Sequence, residues 1–251
     1  MFDVAPAAYD RFMGRYSVQL APQLADLADV RSGQRVLDVG CGPGALTTEL
    51  VERLGPRNVA AVDPSTSFVT AARERLPEVA VQHAPAEQLP FPDASFDAAL
   101  AQLVVHFMGD PLAGLSEMAR VTRRGGIVAA CVWDHAGERA PLTPFWRAVQ
   151  DLDGTAEDES HLAGARAGHL AELFAQAGLR NVVDTTLEAR VLYGSFDEWW
   201  EPYTLGIGPA GAYAAALDDA RRRELEDRCR QLLPEPPFTV SASAWAARGI
   251  V

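Results

Sequence analysis

Apolar residues recur along this chain in two alternating rhythms. Val18, Ala21, Leu24, Leu27 and Ala28 repeat every three or four positions, which predicts a helix over residues 17–30. The short apolar run 35–39, bounded by Gly33 and Gly40, predicts a buried strand. Leu46, Leu50, Val51 and Leu54 then share one helix face, and Gly55-Pro56 stops that helix. A second strand follows at 59–62. Ser65 can cap a helix bearing Phe68, Val69, Ala72 and Leu76, and a third strand comes at 79–81. After a polar loop the pattern resumes with a strand at 96–101. Asp110-Pro111 opens a helix whose buried face carries Leu112, Leu115, Met118 and Ala119. Gly125-Gly126 then turns the chain into an apolar strand at 127–133. Strands joined through helices imply a parallel, doubly wound sheet, with the ligand crevice beyond the carboxyl ends of its strands.

The last third is less regular. Residues 134–167 contain Pro141, Pro144, Phe145 and Trp146 and read as a partly helical insertion. A helix is expected at 169–177 and a strand at 182–193. Ser195 and Glu198 have capping-box spacing before Trp199 and Trp200. One long helix at about 212–232 and an antiparallel strand at 238–246 complete the pattern. The fold expected is α/β: a single domain over 1–251 with a doubly wound, mostly parallel seven-stranded sheet. A partly helical cap is built from 134–167 and 194–236.

Composition narrows the function classes. The 251 residues are 48% hydrophobic and 22% charged, enough for a substantial core. With 22 basic against 34 acidic side chains the net charge is -12, the wrong sign for displacing counterions from nucleic acid. The dense run Arg221-Arg222-Arg223 is flanked by acids and reads as a solvated helix face. No apolar run approaches the roughly 20 residues of a membrane span, and the first residues lack a basic leader and an apolar stretch. A cytoplasmic protein without membrane or nucleic-acid partners is therefore expected. Cys41, Cys131 and Cys229 are far apart, so neither a disulfide framework nor a zinc site is expected, and no metal.

The first strand runs into Gly40-Cys41-Gly42-Pro43-Gly44, and a helix starts at once. Glycines let the backbone turn tightly near a ligand, and the helix start offers free N–H groups to an anion. The spacing also satisfies a dinucleotide fingerprint, which would suit an NAD-linked oxidoreductase. Asp38 just before the turn opposes a pyrophosphate, and Pro43 removes an N–H. A ligand with an ammonium and a carboxylate fits better: Asp38 meets the former, directly or through water, and the loop meets the latter. A loop-capping role for Asp38 is the plainer alternative. Asp63, closing the second strand, is placed to accept hydrogen bonds from ribose hydroxyls.

Leu37-Asp38-Val39-Gly40-Cys41-Gly42-Pro43-Gly44, Leu89-Pro90-Phe91, Ser95-Phe96-Asp97, Glu117 and Arg120-Val121 together resemble the class I S-adenosylmethionine-dependent methyltransferases. The likeness is greatest to the small-molecule, ubiquinone- and menaquinone-type branch and runs from about Tyr9 to Trp133. It implies a Rossmann-like fold, S-adenosylmethionine as cofactor and S-adenosylhomocysteine as product. It also implies in-line methyl transfer to a small-molecule acceptor. Carried over by position, Gly40, Cys41 and Gly42 hold the methionine end and Asp63 the ribose. Pro64 and Ser65 flank the adenine, Ala86 and Glu87 lie along its edge, and Gln102 approaches the sulfonium. Residues 1–30 cover the cofactor, with Tyr16 as the contact.

His106, after the fourth strand, is the candidate general base; packing among Val104, Val105 and Phe107 is the plainer reading. Trp133, Trp199, Trp200 and Tyr203 are candidate walls of an acceptor pocket or, equally, core of the cap. Rival readings are a methyltransferase-like binding module and a sulfonium-dependent enzyme that transfers no methyl. Neither the acceptor nor the oligomeric state has a signature here.

Overall fold

The computed structural model describes residues 6–251. The expected covering segment 1–30 therefore lies within it except for residues 1–5. Seven strands form one sheet: β1 (Val36–Val39), β2 (Val59–Asp63), β3 (Ala80–His83), β4 (Phe96–Gln102), β5 (Thr122–Trp133), β6 (Arg180–Tyr193) and β7 (Phe238–Ile250). Their order is β3-β2-β1-β4-β5-β7-β6. The first five are parallel, and β7 runs antiparallel to both neighbours. The chain winds outward from β1 to β3 and returns to β4, so the topological switch lies between β1 and β4, where a crevice opens.

Among the described residues ten α-helices surround the sheet: α1 (Pro6–Tyr9), α2 (Arg15–Leu27), α3 (Ala45–Leu54), α4 (Thr66–Arg75), α5 (Pro111–Val121), α6 (Thr143–Leu152), α7 (His169–Gln176), α8 (Phe196–Trp200), α9 (Gly208–Ala216) and α10 (Asp219–Leu232). Side chains alternate across a strand, so each strand feeds two cores. Val36, Ala61, Leu100 and Cys131 pack with Leu24 of α2 and Leu50 of α3. Leu37, Val62, Ala99 and Val128 pack with Met118 of α5 and Phe174 of α7. The same parity puts Asp38, Asp63, Gln102 and Trp133 on the α2/α3 face, each at or near the carboxyl end of its strand.

Several elements differ from the pattern read above. The helix expected at 17–30 begins at Arg15 and is preceded by a π-helical turn at Asp10–Gly14. The fifth strand starts at Thr122, with a register shift opposite Phe96 and Ala98, and the last strand runs on to Ile250. The expected single helix at 212–232 is two. Leu217 is extended, and Asp218 Oδ1 caps α10 by accepting from Ala220 N (3.0 Å) and Arg221 N (2.9 Å). The Arg222 guanidinium donates to the carbonyls of Ala214 (3.1 Å) and Leu217 (2.8 Å), closing the end of α9.

Edge strand β6 is covered by α2. Gln19 donates to Arg190 O (2.9 Å) and accepts from Arg190 N (3.0 Å). Gln23 does the same at Glu188 (2.8 and 3.2 Å). Two side-chain amides one helical turn apart thus stand in for a missing strand, which blunts the edge and pins α2. Among the described residues no helix is long and apolar enough to cross a membrane, and no His, Cys, Asp or Glu cluster could hold a metal ion.

Candidate functional site

The turn after β1 is stapled to the strand beside it. Gly40 N and Cys41 N both donate to Val62 O (2.8 and 2.9 Å). Gly40 has φ +72, and a Cβ there would lie 2.5 Å from Val104 Cγ2, so only glycine allows β1 and the β4 loop to approach so closely. Cys41 is buried. Gly42 N donates to Asp63 Oδ2 and Ser65 N to Asp63 Oδ1, both at 2.8 Å. Backbone on either side therefore fixes the Asp63 carboxylate, which keeps lone pairs for further donors. Burial raises its pKa, while those two N–H groups pull it back.

Asp38 lies deeper. Its Oδ2 accepts from Thr47 Oγ1 at 2.6 Å, and its Oδ1 has no partner among the described residues. Burial, first of all, pushes its pKa up to about 7; Thr47 lowers it and the Asp63 charge raises it. Two buried carboxylates beside a glycine turn, one of them with an oxygen that has no partner among the described residues, form a site suited to a further donor or positive charge.

Ser65 caps α4 by accepting from Phe68 N (3.4 Å), and Pro64 O is bonded to His83 Nε2 (2.8 Å). Ala86 is buried, and Glu87 Oε1 accepts from Asp110 N (3.2 Å), bracing the start of α5. Gln102 Nε2 donates to Ser17 O (3.1 Å), tying β4 to α2, and its Oε1 has no partner among the described residues. The Leu-Pro-Phe segment is held from behind. Arg120 donates to Leu89 O (3.1 Å), Phe91 O (2.9 Å), Asp93 Oδ1 (2.8 Å) and both Glu117 oxygens, while Glu117 Oε2 accepts from Leu89 N (2.9 Å). That spacing is thus a brace for the loop.

Beyond β4 and β5 lies a cavity of ≈ 40 Å³, walled by Tyr9, Phe12, Phe107, Trp133, His106 and Glu159 among others. His106 lies at its wall, its Nδ1 without a partner among the described residues and its ring centroid 6.1 Å from that of His135. Burial keeps the imidazole uncharged well below its ordinary pKa, with His135 adding to the effect. Trp133 also lines the cavity. Trp199, Trp200 and Tyr203 do not; they stack in the core of the cap, where Tyr203 lies flat on Phe145 at 4.7 Å and edge-on to Phe12 at 5.0 Å. Tyr16 is fully buried, hydrogen-bonded to the Tyr193 hydroxyl (3.0 Å) and edge-on to Trp133.

Two residues at this site were not singled out from the sequence. Tyr9 packs edge-on against Phe68 (5.3 Å), lines the cavity and feels the Asp63 charge. Its place in the covering segment 1–30 was a signal, but the resemblance pointed to Tyr16 as the contact. Glu159 carried no signal at all: it sits in an irregular, charge-rich segment and becomes distinctive only through burial.

Residues 37–130 match the family described as "Methyltransferase domain". An uncharacterized methyltransferase of Mycobacterium tuberculosis is 39% identical over 138 residues, 55% of this chain and 54% of that protein. The demethylmenaquinone methyltransferase of Beutenbergia cavernae is 32% identical over 152 residues, 61% and 56% respectively. These likenesses support a class I S-adenosylmethionine-dependent methyltransferase domain over residues 37–130. It spans about half the length of the curated relatives it matches. The fold likeness extends further: a SAM-dependent methyltransferase from Thermotoga maritima superposes with TM-score 0.56 at 18% identity, covering 97% of this chain and 93% of that one. The family match ends at residue 130, within β5, while likeness in fold extends through the cap and β7.

Proposed function

We propose that this methyltransferase binds S-adenosylmethionine in the β1/β4 crevice and transfers its methyl group to a small-molecule acceptor by in-line displacement. S-adenosylhomocysteine is then the product. One observation carries the cofactor reading: Asp38 Oδ1, buried and unpartnered among the described residues behind the glycine turn, is where an amino-acid ammonium would be satisfied. Asp63, presented by two backbone N–H groups, suits a pair of ribose hydroxyls. The residues present fit the cofactor.

When bound, the cofactor supplies a methyl carbon activated by a positively charged sulfur. The chain has to align the two reactants and shield them from water. Asp38, the Gly40-Cys41-Gly42 turn and Asp63 bind the cofactor, and Pro64, Ser65, Ala86 and Glu87 border its base. Gln102 and the α1–α2 segment, with Tyr9 and Tyr16, cover it and exclude water. Salt bridges from Arg75 to Asp10, Arg11 to Glu201 and Arg15 to Glu198 hold that cover down. Alignment and desolvation account for most of the rate in such a displacement. His106, uncharged at neutral pH, is the group placed to take a proton from the acceptor. Trp133 borders the acceptor, with Trp199, Trp200 and Tyr203 supporting the cap behind it.

In this reading residues 1–251 work as one domain in the cytoplasm, without nucleic-acid or membrane partners. The net charge of -12 and three buried thiols are consistent with that. Calorimetry tests the core of the proposal. Asp63→Ala is expected to weaken S-adenosylhomocysteine binding at least tenfold with the circular-dichroism spectrum unchanged; equal affinity removes the ribose assignment. Failure of the native protein to bind either adenosyl ligand removes the function.

A further inference from the structure

The cavity beside the crevice has a chemistry that methyl transfer alone does not require. At ≈ 40 Å³ it holds one functional group or a few waters, far less than the several hundred Å³ of a whole-ligand pocket. Four aromatic rings line it, Tyr9, Phe12, Phe107 and Trp133, beside aliphatic side chains such as Met13, Leu103, Leu142 and Ile207. One carboxyl group enters it. Glu159 begins a short turn whose N-cap, Asp158, accepts from Ser160 N at 2.9 Å, and the glutamate is only 3% exposed. Trp146 Nε1 donates to its Oε2 at 2.9 Å, and no other hydrogen bond reaches the carboxyl group among the described residues. Burial pushes its pKa up to about 7, against the Trp146 hydrogen bond. No lysine or arginine lines the cavity among the described residues, and the one imidazole there, His106, is held uncharged.

A buried carboxyl group that no arginine or lysine meets among the described residues, its charge opposed by Asp158 and eased by His161, and with aromatic rings lining the same cavity, favours an organic cation. The carboxylate supplies the charge, and the ring quadrupoles attract the same species. A neutral hydroxyl group would hydrogen-bond to the protonated acid without favouring its charged form, whereas an ammonium ion stabilises the carboxylate. An anion would be repelled.

Resting on the methyl-transfer reading above, we propose that the acceptor carries a cationic nitrogen, an ammonium group, which Glu159 and the aromatic walls recognise. Glu159 is then the specificity-determining residue at the acceptor end. A nitrogen held as a cation has no lone pair for attack, so the atom that receives the methyl belongs to a second group of the same molecule, on the side facing His106 and the crevice.

The test compares phenethylamine with its neutral isostere 2-phenylethanol in ligand-observed NMR titrations, with and without saturating S-adenosylhomocysteine. Phenethylamine should bind the native protein at least tenfold more tightly than the alcohol. Glu159→Gln keeps an acceptor for Trp146 and should erase that preference, leaving S-adenosylhomocysteine affinity within twofold. Trp146→Phe, which keeps the charge, should retain the preference. Equal binding of the two probes to native protein overturns the proposal, as does binding of neither, or a preference that survives in Glu159→Gln. Should Glu159→Gln fail to fold, the ratio in native protein decides alone. Absence of S-adenosylhomocysteine binding would remove the methyl-transfer reading instead, while the amine-to-alcohol ratio of the ligand-free protein still judges the cavity.

Discussion

The two ends of the site are built in opposite ways on one face of the sheet. At the cofactor end, Asp63 is held from 2 and 21 residues away and Asp38 from 9. At the proposed acceptor end, Tyr16 meets Tyr193 across 177 residues, and the cavity gathers side chains from before α2, after β4, the end of β5 and the loop before α7. Groups held by their own loop keep their geometry when the surroundings change. Groups assembled from distant segments move with the packing of the cap. A fold that fixes one end locally and the other globally can change its acceptor without rebuilding its cofactor site.

The sharpest way to break this contrast is Gly40→Ala. The new Cβ would meet Val104, a stiff β-branched side chain, at a positive φ that disfavours any other residue. A loss of about 2–5 kcal/mol in urea unfolding, together with loss of adenosyl-ligand binding, is expected. A stability change below about 1 kcal/mol would mean that the turn is softer than its contacts indicate.

Asp38→Asn comes next. The folded-state pKa of Asp38 is raised from 3.8 to about 7, so between those values the native state holds a proton that the unfolded chain has released. Its contribution therefore favours folding in acid and declines as pH rises from about 4 to 7. Asparagine removes the charge and can still accept from Thr47. It should raise ligand-free stability at pH 8 by on the order of 3 kcal/mol and flatten the pH profile over that window. Cofactor affinity should fall in the same variant. Thermal melts across pH, paired with calorimetry, check both halves; higher stability with undiminished affinity would leave Asp38 as a loop cap only.

The paired variant Gln19→Ala/Gln23→Ala tests the long-range end. It removes four amide–backbone hydrogen bonds along β6 and should cost roughly 1–3 kcal/mol, because the freed groups can turn to water. Protection from hydrogen exchange should drop at Glu188 and Arg190 while that of β1 and β2 stays unchanged. Smallest of all, His106→Ala should alter S-adenosylhomocysteine affinity by less than about twofold, since no hydrogen bond links it to the cofactor-end carboxylates. A large loss in calorimetry would assign His106 to the cofactor end.

Legibility in the sequence follows the same division. The strands β1 to β5 were readable because each holds a short apolar run punctuated by Gly, Pro or a capping residue, and the antiparallel last strand because its side chains alternate. Asp38, Gly40, Gly42 and Asp63 were readable as candidates because the ends of two adjacent strands and one glycine turn bring them together. Trp199, Trp200 and Tyr203 were named only as aromatics; whether such rings wall a pocket or fill a core depends on partners such as Phe145 and Phe12, which spacing does not show. The break between α9 and α10 was hidden because Ala- and Arg-rich segments keep high helix propensity across it, and the cap at Asp218 is a choice of tertiary context.

The order of side chains determined the parallel sheet, the glycine turn and the two acids that face it, because hydrophobic period and turn chemistry act over a few residues. Tertiary structure alone decided that Gln19 and Gln23 close the sheet edge, that Tyr9 reaches the cavity, and that Glu159 becomes a buried carboxyl group beside aromatic rings. Burial and partnership are properties of what the whole chain brings together, and no local stretch of it encodes them.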